Sequence, residues 1–342
     1  MKAAVYYGKH DMRVSEIEVR EPEADEIVVQ VAYCGICGTD VHIFNGEDGA
    51  YAVTPPLVPG HEFSGVVVKA GKDVTNVTVG DRVSCDPNDM CGKCEPCMTG
   101  RQHYCRNVTG IGTTVNGGFA EYVTLHSKQA YKIADDLELI EAAMAEPLSC
   151  CLHGIDLCHI KPGDTVLVMG GGPIGMIMLQ LAKKAGATQL ILSEPVEAKR
   201  NLALTLGATA VIDPLSEDVP AFLESHCDNV DVVIECIGNP HTQSDAIQYA
   251  GICATVMFFG LSDPGQTFPI QINDVFKKEL HLTSSYINPY TYKRAIKILE
   301  SHSIDVKSLI DHVFPVEKLP EVLADDSYRK NGKVMIQLND LK

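Results

Sequence analysis

Gly170-Gly171-Gly172-Pro173-Ile174-Gly175 is the stretch that decides the fold of this 342-residue chain. It has the pattern G-x-G-x-x-G, with a short apolar run at 165–169 before it and an apolar helical pattern over 176–184 after it. Between a strand and a helix, the first glycine permits the tight turn, the second lets a pyrophosphate approach, and the third lets the helix pack closely. Free N–H groups at the start of such a helix bind phosphates. The loop residues that we expect to bind a dinucleotide are Gly170, Gly172, Ile174 and Gly175.

The next strand-like run, 189–193, ends at Glu194, about 20 residues beyond the glycine loop, where a dinucleotide site places an acid for the ribose hydroxyls. A carboxylate there repels the 2′-phosphate of NADP, so the sequence favours NAD. The neighbouring Lys199 and Arg200 leave NADP open as an alternative, because basic residues at this place can accommodate the phosphate.

Beyond Thr165 the chain alternates strand-like and helical patterns. The strand candidates are 165–169, 189–193, 209–212, 230–235 and 253–259. Such alternation predicts a doubly wound parallel sheet with helices on both faces. Ligands bind outside the carboxyl ends of these strands, so we expect Gly260 and Leu261 to flank the nicotinamide. Ser285-Tyr286 is a further candidate for that place.

The chain on either side of this region has a different pattern. Up to about residue 85 it is rich in β-branched runs that are punctuated by glycine and proline, which predicts many short strands. Near residue 285 the alternation stops, and a helix at 291–301 and short strands follow. We therefore expect a β-rich domain beside the parallel sheet, with the C-terminal tail returning to it.

Composition excludes some classes of partner. The net charge of −17 argues against nucleic acid and anionic membranes, which both require basic patches. No stretch has the pattern of a signal peptide or the length of an apolar membrane span. The 13 cysteines are an odd number in a large chain, which favours thiols and metal ligands over a disulfide framework. We expect a cytoplasmic protein.

Four cysteines form a closely spaced cluster: Cys91, Cys94, Cys97 and Cys105. Four thiolates in a loop fit a closed, tetrahedral structural zinc site, which folds a lobe too small to bury a core of its own. An iron–sulfur cluster is the alternative, since three cysteines at the spacing of Cys91, Cys94 and Cys97 also occur in ferredoxins. There the fourth cysteine comes sooner and precedes proline, whereas Arg106 follows Cys105.

A second group of metal-ligating residue types is dispersed: Cys37-Gly38-Thr39-Asp40-Val41-His42, then Gly60-His61-Glu62, then Glu146-Pro147. No single pair among them is a metal motif. Taken alone, Cys37 would be a buried thiol, Thr39 a helix N-cap and His42 a surface histidine.

These segments occur in one order with the cysteine cluster, Gly118-Phe119-Ala120-Glu121-Tyr122 and the glycine loop. In that order the chain resembles the zinc-dependent medium-chain dehydrogenases, most closely their polyol (sorbitol-type) and threonine dehydrogenase branch. The resemblance covers essentially the whole chain. It implies a β-rich, GroES-like catalytic domain at 1–150 with 287–342, and a Rossmann domain at 151–286.

The resemblance also implies residue roles. Cys37 and His61 would be zinc ligands, and Glu62 and Glu146 would share ligation of the zinc and hydrogen bonding to its water. One thiolate, one imidazole and one carboxylate leave a fourth position open, as a catalytic zinc site needs. Zinc there lowers the pKa of a bound oxygen and polarises a carbonyl.

Further roles follow from the same resemblance. Thr39 would accept the substrate proton and His42 would pass it toward solvent. Lys199 would lie on the adenine side of the cofactor, with a solvated helix face as its alternative. Phe119 would line the substrate pocket, with a buried aromatic as its alternative.

The expected activity is hydride transfer from a secondary alcohol, a sugar alcohol, polyol or its phosphate, to NAD, with one catalytic and one structural zinc. Threonine 3-dehydrogenase and 2,3-butanediol dehydrogenase are alternatives, because Ile43 and the stretch 286–289 depart from the sorbitol-type pattern. Zinc-free quinone or enoyl reductases normally lack the ligands found here. A non-enzymatic NAD sensor would be expected to have lost one of them. Relatives of this kind are dimers or tetramers, so we expect a homo-oligomer.

Overall fold

A computed structural model describes residues 1–47, 51–263 and 265–341. The chain divides into two compact units, Met1–Ser149 with Pro289–Lys342, and Cys150–Asn288. None of the described helices combines the length and the apolar character that a membrane crossing requires.

The first unit is built mostly of strands. Its strands before the boundary are β1 (Lys2–Gly8), β2 (Asp11–Glu16), β3 (Glu26–Gly35), β4 (Glu62–Ala70), β5 (Arg82–Cys85), β6 (Asn88–Asp89), β7 (Thr109–Gly110), β8 (Tyr122–His126) and β9 (Ala130–Lys132). The helices of this segment are α1 (Gly38–Phe44), α2 (Glu95–Met98), α3 (Leu139–Ala142) and α4 (Ala145–Cys158), the last of which contains the boundary.

The second unit alternates strands and helices. Its elements in chain order are β10 (Thr165–Met169), α5 (Pro173–Ala185), β11 (Gln189–Ser193), α6 (Glu197–Leu206), β12 (Ala210–Ile212), α7 (Val219–His226), β13 (Val232–Glu235), α8 (Pro240–Tyr249), β14 (Thr255–Phe258), α9 (Ile272–Lys278) and β15 (His281–Ser284). The C-terminal segment then adds α10 (Tyr292–Glu300), β16 (Ile310–Pro315), α11 (Leu319–Ala324) and β17 (Lys333–Gln337) to the first unit.

Strand β3 is the centre of the first unit. The main sheet has the order β16-β17-β3-β4-β5-β9, and β8 also pairs with β3. The antiparallel register sets Gly35, the last residue of β3, opposite Glu62, the first residue of β4. The C-terminal strand β17 pairs with the same end of β3, where Met335 lies opposite Gly35. Three distant parts of the sequence therefore meet at the end of β3.

The second unit is a six-stranded parallel sheet with the order β12-β11-β10-β13-β14-β15. All five residues of β10 are buried, as expected of a central parallel strand that is covered on both faces. The chain moves outward from β10 to β12, then returns to β13 on the other side. This reversal is the switch point at which Rossmann folds bind a dinucleotide. The predicted parallel sheet is confirmed; the predicted strands 230–235 and 253–259 are each longer than β13 and β14.

Candidate metal centres and cofactor site

The first candidate metal centre lies where β3 and β4 begin to separate. Cys37 follows β3 and is the N-cap of α1, while His61 and Glu62 stand at the start of β4. Because β3 and β4 are neighbours in register, ligand atoms of Cys37, His61 and Glu62 lie within 4.8 Å of one another. A sulfur, a nitrogen and an oxygen ligand at such spacing fit a zinc ion and leave a position open.

Asp40, which the sequence analysis assigned no role, holds this arrangement together. Its Oδ2 accepts a hydrogen bond of 2.8 Å from the backbone N–H of Cys37, and its Oδ1 lies 3.6 Å from Nδ1 of His61. Burial lowers the pKa of His61, but Asp40 and Cys37 outweigh it, so the His61 pKa lies well above its usual value. The pocket therefore favours a positive charge at this position, which a metal ion would supply.

Lys333 is a second residue that the sequence analysis missed. Its Nζ forms an ion pair with Oε2 of Glu62, and both side chains are buried. Burial lowers the pKa of Lys333, but the charges of Glu62, Cys37 and Glu146 outweigh it and raise that pKa above its usual value. Nothing in the local sequence marks Lys333, because only the pairing of β17 with β3 brings it here.

Glu146 is buried in the first turn of α4. It lies outside the group of three whose ligand atoms converge, although its charge acts on Lys333. Of the two predicted acids, Glu62 is thus the one grouped with Cys37 and His61 in the described residues.

The predicted relay residues lie on α1. The alternative in which Thr39 is the N-cap is wrong: the helix begins at Gly38 and Cys37 is the N-cap, because Asp40 at the third helical position accepts the Cys37 N–H. His42 Nδ1 lies 2.6 Å from Oε2 of Glu47, and both side chains are partly exposed. His42 is therefore paired with a carboxylate at the outer end of the helix.

Phe119 is completely buried in the core of the first unit. A ring without any exposed surface cannot touch a substrate. The placement of Phe119 in the substrate pocket is therefore wrong for this structure, and the buried-aromatic alternative holds.

The four cysteines of the second cluster converge around α2. Their sulfur atoms lie within 4.8 Å of one another, with 3.5 Å between Cys94 and Cys97. Cys105 Sγ also accepts backbone N–H groups of Cys91 and Asn107 at 3.3 and 3.4 Å. All 13 cysteines are free thiols. Four sulfur atoms this close together fit the ligand set of a tetrahedral metal ion.

The pKa shifts of these thiols also favour a bound cation. The backbone N–H of Lys93 is the main cause that lowers the pKa of Cys91 to about 6, and the N–H of Arg106 lowers that of Cys94. Burial and the neighbouring sulfur atoms raise the pKa of Cys97 to about 12. The backbone thus stabilises some of the thiolates but not all four, and a bound metal would supply the missing positive charge.

The glycines of the loop in the second unit differ in what a side chain at each position would meet. Gly170 has φ +99°, which only glycine adopts easily. A Cβ at Gly175 would collide with the carbonyl oxygen of Gly170, whereas a Cβ at Gly172 would meet nothing within 4 Å. Gly172 is the N-cap of α5 and has ordinary backbone angles. The space beside it fits a ligand that approaches the N-terminus of α5, on which Ile174 also lies.

Glu194 is buried directly against this loop. Its Oε2 accepts the N–H of Gly171 at 2.7 Å, and its Oε1 accepts the N–H of Val196 at 2.9 Å. Both carboxylate oxygens keep further lone pairs for a hydroxyl donor. The strand β11 places the acid at the position where the sequence predicted it.

The two nearby basic residues differ. Arg200 donates from Nη1 to the carbonyl oxygens of Glu194 and Pro195, at 2.8 and 2.7 Å, and lies 3.6 Å from Asp213. Its guanidinium is therefore already engaged by backbone and carboxylate oxygens. Lys199 lies half-buried in the first turn of α6.

Two loops meet at the carboxyl ends of β13 and β14. A Cβ on Gly260 would collide with the backbone nitrogen of Gly238, so the two chains touch through their backbones. Glu235, also missed from sequence, is fully buried and binds both loops. Its Oε1 accepts N–H groups of Ile237 and Gly238 at 2.8 Å, and its carbonyl oxygen accepts the N–H of Gly260 at 2.8 Å. Leu261 is 80% exposed beside them.

The glycine loop allows a matched pair of substitutions. Gly172→Ala is expected to leave the melting temperature unchanged but to weaken dinucleotide binding about tenfold or more, because its methyl group occupies the space next to the helix N-terminus. Gly175→Ala is expected to destabilise the fold by ~1–3 kcal/mol through overpacking. Thermal unfolding and titration of the reduced cofactor by fluorescence measure the two effects. Wild-type cofactor affinity in Gly172→Ala would show that the pyrophosphate lies elsewhere.

Both units match models of known families. Residues 23–135 match the alcohol dehydrogenase GroES-like domain, and residues 173–301 match the zinc-binding dehydrogenase model. These matches, with the sites described above, define an oxidoreductase that binds zinc and a nicotinamide cofactor.

Relatives align over the full chain. D-arabinitol dehydrogenase 1 of Uromyces fabae is 33% identical over 98% of this chain and 97% of its own. L-threonine 3-dehydrogenase of Caldanaerobacter subterraneus subsp. tengcongensis is 34% identical over 97% of this chain and 94% of its own. A Sinorhizobium meliloti protein described as a zinc-binding dehydrogenase and bound to NADP has a TM-score of 0.93 and 38% identity, with 98% of each chain covered. The chain belongs to the zinc-dependent medium-chain dehydrogenases, in their polyol and threonine dehydrogenase branch.

These matches confirm three predictions from the sequence. The family resemblance, the GroES-like plus Rossmann fold class and the assignment as an alcohol-oxidising enzyme all hold. The roles of the individual site residues remain predictions.

Proposed function

We propose that this enzyme oxidises a secondary alcohol, a sugar alcohol or other polyol or its phosphate, to the ketone with NAD. The observation that carries the proposal is the convergence of Cys37, His61 and Glu62 at the end of β3. Threonine 3-dehydrogenation is the second candidate, because the L-threonine 3-dehydrogenase relative is as similar to this chain as the D-arabinitol enzyme.

The proposed catalytic roles belong to the first candidate metal centre and to helix α1. Cys37, His61 and Glu62 would hold the catalytic zinc, with Glu146 as the second acid near it, and Asp40 would orient His61. When bound, zinc supplies Lewis-acid stabilisation of negative charge on the alcohol oxygen. The Thr39 hydroxyl accepts the proton of the alcohol and passes it to His42. Glu47 faces Nδ1 of His42 and stabilises that ring when it takes up the proton.

NAD is the proposed cofactor because Glu194 places a carboxylate next to the glycine loop. A 2′-phosphate would meet this charge, and Arg200 is already engaged with carbonyl oxygens and Asp213. The relative from Sinorhizobium meliloti binds NADP, so the preference has to be measured on this chain. Gly170, Gly172, Ile174 and Gly175 would hold the pyrophosphate, Lys199 the adenine side, and Gly260 and Leu261 the nicotinamide.

Substitution of Glu194 tests this assignment. We expect Glu194→Ala to weaken NAD binding about tenfold to a hundredfold, since a hydrogen bond to a charged group contributes about 1.5–3 kcal/mol, and to improve the relative use of NADP. Glu194→Gln is the matched variant, because it keeps the size of the side chain and removes only the charge. The ratio of kcat/KM for NAD and NADP is the measurement. An unchanged ratio in both variants would place the ribose away from Glu194.

A second, structural zinc is proposed at Cys91, Cys94, Cys97 and Cys105, supported by the convergence of their sulfur atoms. In this proposal, residues 1–150 and 287–342 form the catalytic domain, and residues 151–286 form the domain that binds the cofactor. A cytoplasmic location is supported by the 13 free thiols.

A homo-oligomer is also part of the proposal. Strand β15 is an edge of the parallel sheet, and Ile272 and Phe276 on the neighbouring α9 are 71% and 81% exposed. An unpaired edge beside exposed apolar side chains suits pairing with a second copy of the chain.

The experiment that tests the function is reduction of NAD and NADP by the zinc-loaded protein with polyols, their phosphates, threonine and 2,3-butanediol. Activity with polyols or their phosphates supports the leading proposal, and activity with threonine alone supports the second candidate. Absence of activity with every alcohol, in protein that holds two zinc ions per chain, would contradict both.

A further inference from the structure

Lys333 is a buried cation that the mechanism above does not use. Long charged side chains are rarely buried unless they are paired, and this one is paired with Glu62, a proposed metal ligand. The backbone fixes its position, because β17 pairs with the end of β3 and the N–H of Ile36 donates to the carbonyl oxygen of Val334 at 2.9 Å.

The end of β3 leaves a slot for this ion pair. A Cβ at Gly35 would lie 2.8 Å from Cε of Lys333 and would collide with the carboxylate of Glu62. Any side chain at Gly35 would therefore push the two partners apart. In this slot the ammonium of Lys333 pairs with Oε2 of Glu62. A carboxylate oxygen of Glu62 also lies within 4.8 Å of the ligand atoms of Cys37 and His61.

Charge makes Lys333 a competitor of the metal. A zinc ion at Cys37 and His61 would be stabilised by the negative charge of Glu62, and the ammonium of Lys333 is stabilised by the same carboxylate. A carboxylate with one oxygen held by an ammonium shares less negative charge with a metal and binds it best through the other oxygen. It is therefore a weaker ligand than a carboxylate that can use both.

We propose that Lys333 is a positioning residue that makes Glu62 a weak, one-oxygen ligand of the catalytic zinc and so keeps a position on the metal open for the alcohol. The inference rests on the proposed zinc site. The alternative is that the pair is only structural, with Lys333 neutralising a buried carboxylate. That alternative predicts a less stable fold but unchanged zinc release.

The experiment measures zinc release from the full-length, zinc-loaded enzyme to a coloured chelator. The variant Cys37→Ser identifies the phase that belongs to the four-cysteine cluster. In Lys333→Met we expect the other phase to slow about tenfold, because the carboxylate of Glu62 is no longer held by the ammonium and binds the metal more strongly. Lys333→Arg, which keeps the charge, is expected to release zinc close to the wild-type rate. An equal or faster release from Lys333→Met would overturn the proposal.

The double variant Glu62→Gln/Lys333→Met separates positioning from simple repulsion. If Lys333 acts through Glu62, removing the lysine has no further effect on zinc release in the Glu62→Gln background. A persisting effect would mean that Lys333 acts on the metal directly and would overturn the assigned route. The double variant also controls for folding, because it replaces the ion pair with two neutral side chains of similar size.

Cobalt substitution and kinetics give two further readouts. In cobalt-loaded Lys333→Met the visible absorption is expected to weaken, as happens when a four-coordinate site gains a ligand, and KM for the alcohol is expected to rise more than kcat falls. A wild-type protein with zinc only in the four-cysteine cluster would contradict the proposed function itself. Two zinc ions with unchanged release in Lys333→Met would contradict only the role of Lys333.

Discussion

Replacement of Cys37 by serine is expected to lower turnover about a thousandfold while the four-cysteine cluster keeps its zinc. Cys37 supplies the one sulfur of the converging group, and loss of Lewis-acid stabilisation worth several kcal/mol corresponds to a rate loss of this size. Steady-state kinetics and metal analysis of the same sample measure both effects. The zinc content is expected to fall from two per chain to one.

The control for this substitution is Cys253→Ser, since Cys253 is exposed and belongs to neither cluster. It is expected to keep full activity and both zinc ions. If Cys37→Ser were as active as this control, the catalytic zinc would have to lie somewhere else.

Replacement of Cys94 by serine is expected to have the second large effect, on structure rather than chemistry. The Sγ atom of Cys94 lies 3.5 Å from that of Cys97 and 3.8 Å from that of Cys105. Loss of this sulfur therefore removes two close contacts at once from the cluster. A lobe that relies on a metal for folding unfolds when the ligand set is incomplete. We expect the zinc of this cluster to be lost and the segment 91–105 to become sensitive to limited proteolysis, with the melting temperature lowered by about 10 °C.

The catalytic zinc provides an internal check on that experiment. Cys94→Ser protein should still hold one zinc, at Cys37 and His61, and retain measurable turnover at low temperature. Retention of two zinc ions together with a protease-resistant loop would show that the four cysteines do not form a metal site.

Local patterns predicted much of this architecture. The run before Gly170 and the run before Glu194 are observed as strands with the predicted bounds, because buried parallel strands are short, continuous and apolar. The four-cysteine cluster was predicted for a similar reason. Its cysteines are close in sequence, so their spacing along the chain is enough to predict that their sulfur atoms come together.

The first candidate metal centre was harder to predict, because the residues proposed to bind the metal lie on separate elements. Cys37, His61 and Glu62 meet only through the pairing of β3 with β4, and the sequence supplied them by family resemblance rather than by spacing. Asp40 and Lys333 were missed, since Asp40 reaches His61 and Lys333 reaches Glu62 only through the fold.

Two of the alternatives that the sequence left open are not observed. The alternative that made Thr39 the N-cap of α1 would start the helix two residues too late, because Cys37 is the N-cap and Asp40 accepts its N–H. Phe119 could be read as pocket or core from sequence, and only packing decides that it is core.

The binding of Arg200 bears on how this enzyme could change in evolution. Its guanidinium is committed to the carbonyl oxygens after β11 and to Asp213, so it is not available to receive a new anion. If Glu194 binds the ribose of NAD as proposed, a lineage that loses Glu194 would first lose NAD affinity and would gain little NADP affinity while Arg200 stays engaged with Asp213 and the carbonyl oxygens. On that proposal, a change of cofactor would pass through a poorly active variant, and selection should keep Glu194, Arg200 and Asp213 together.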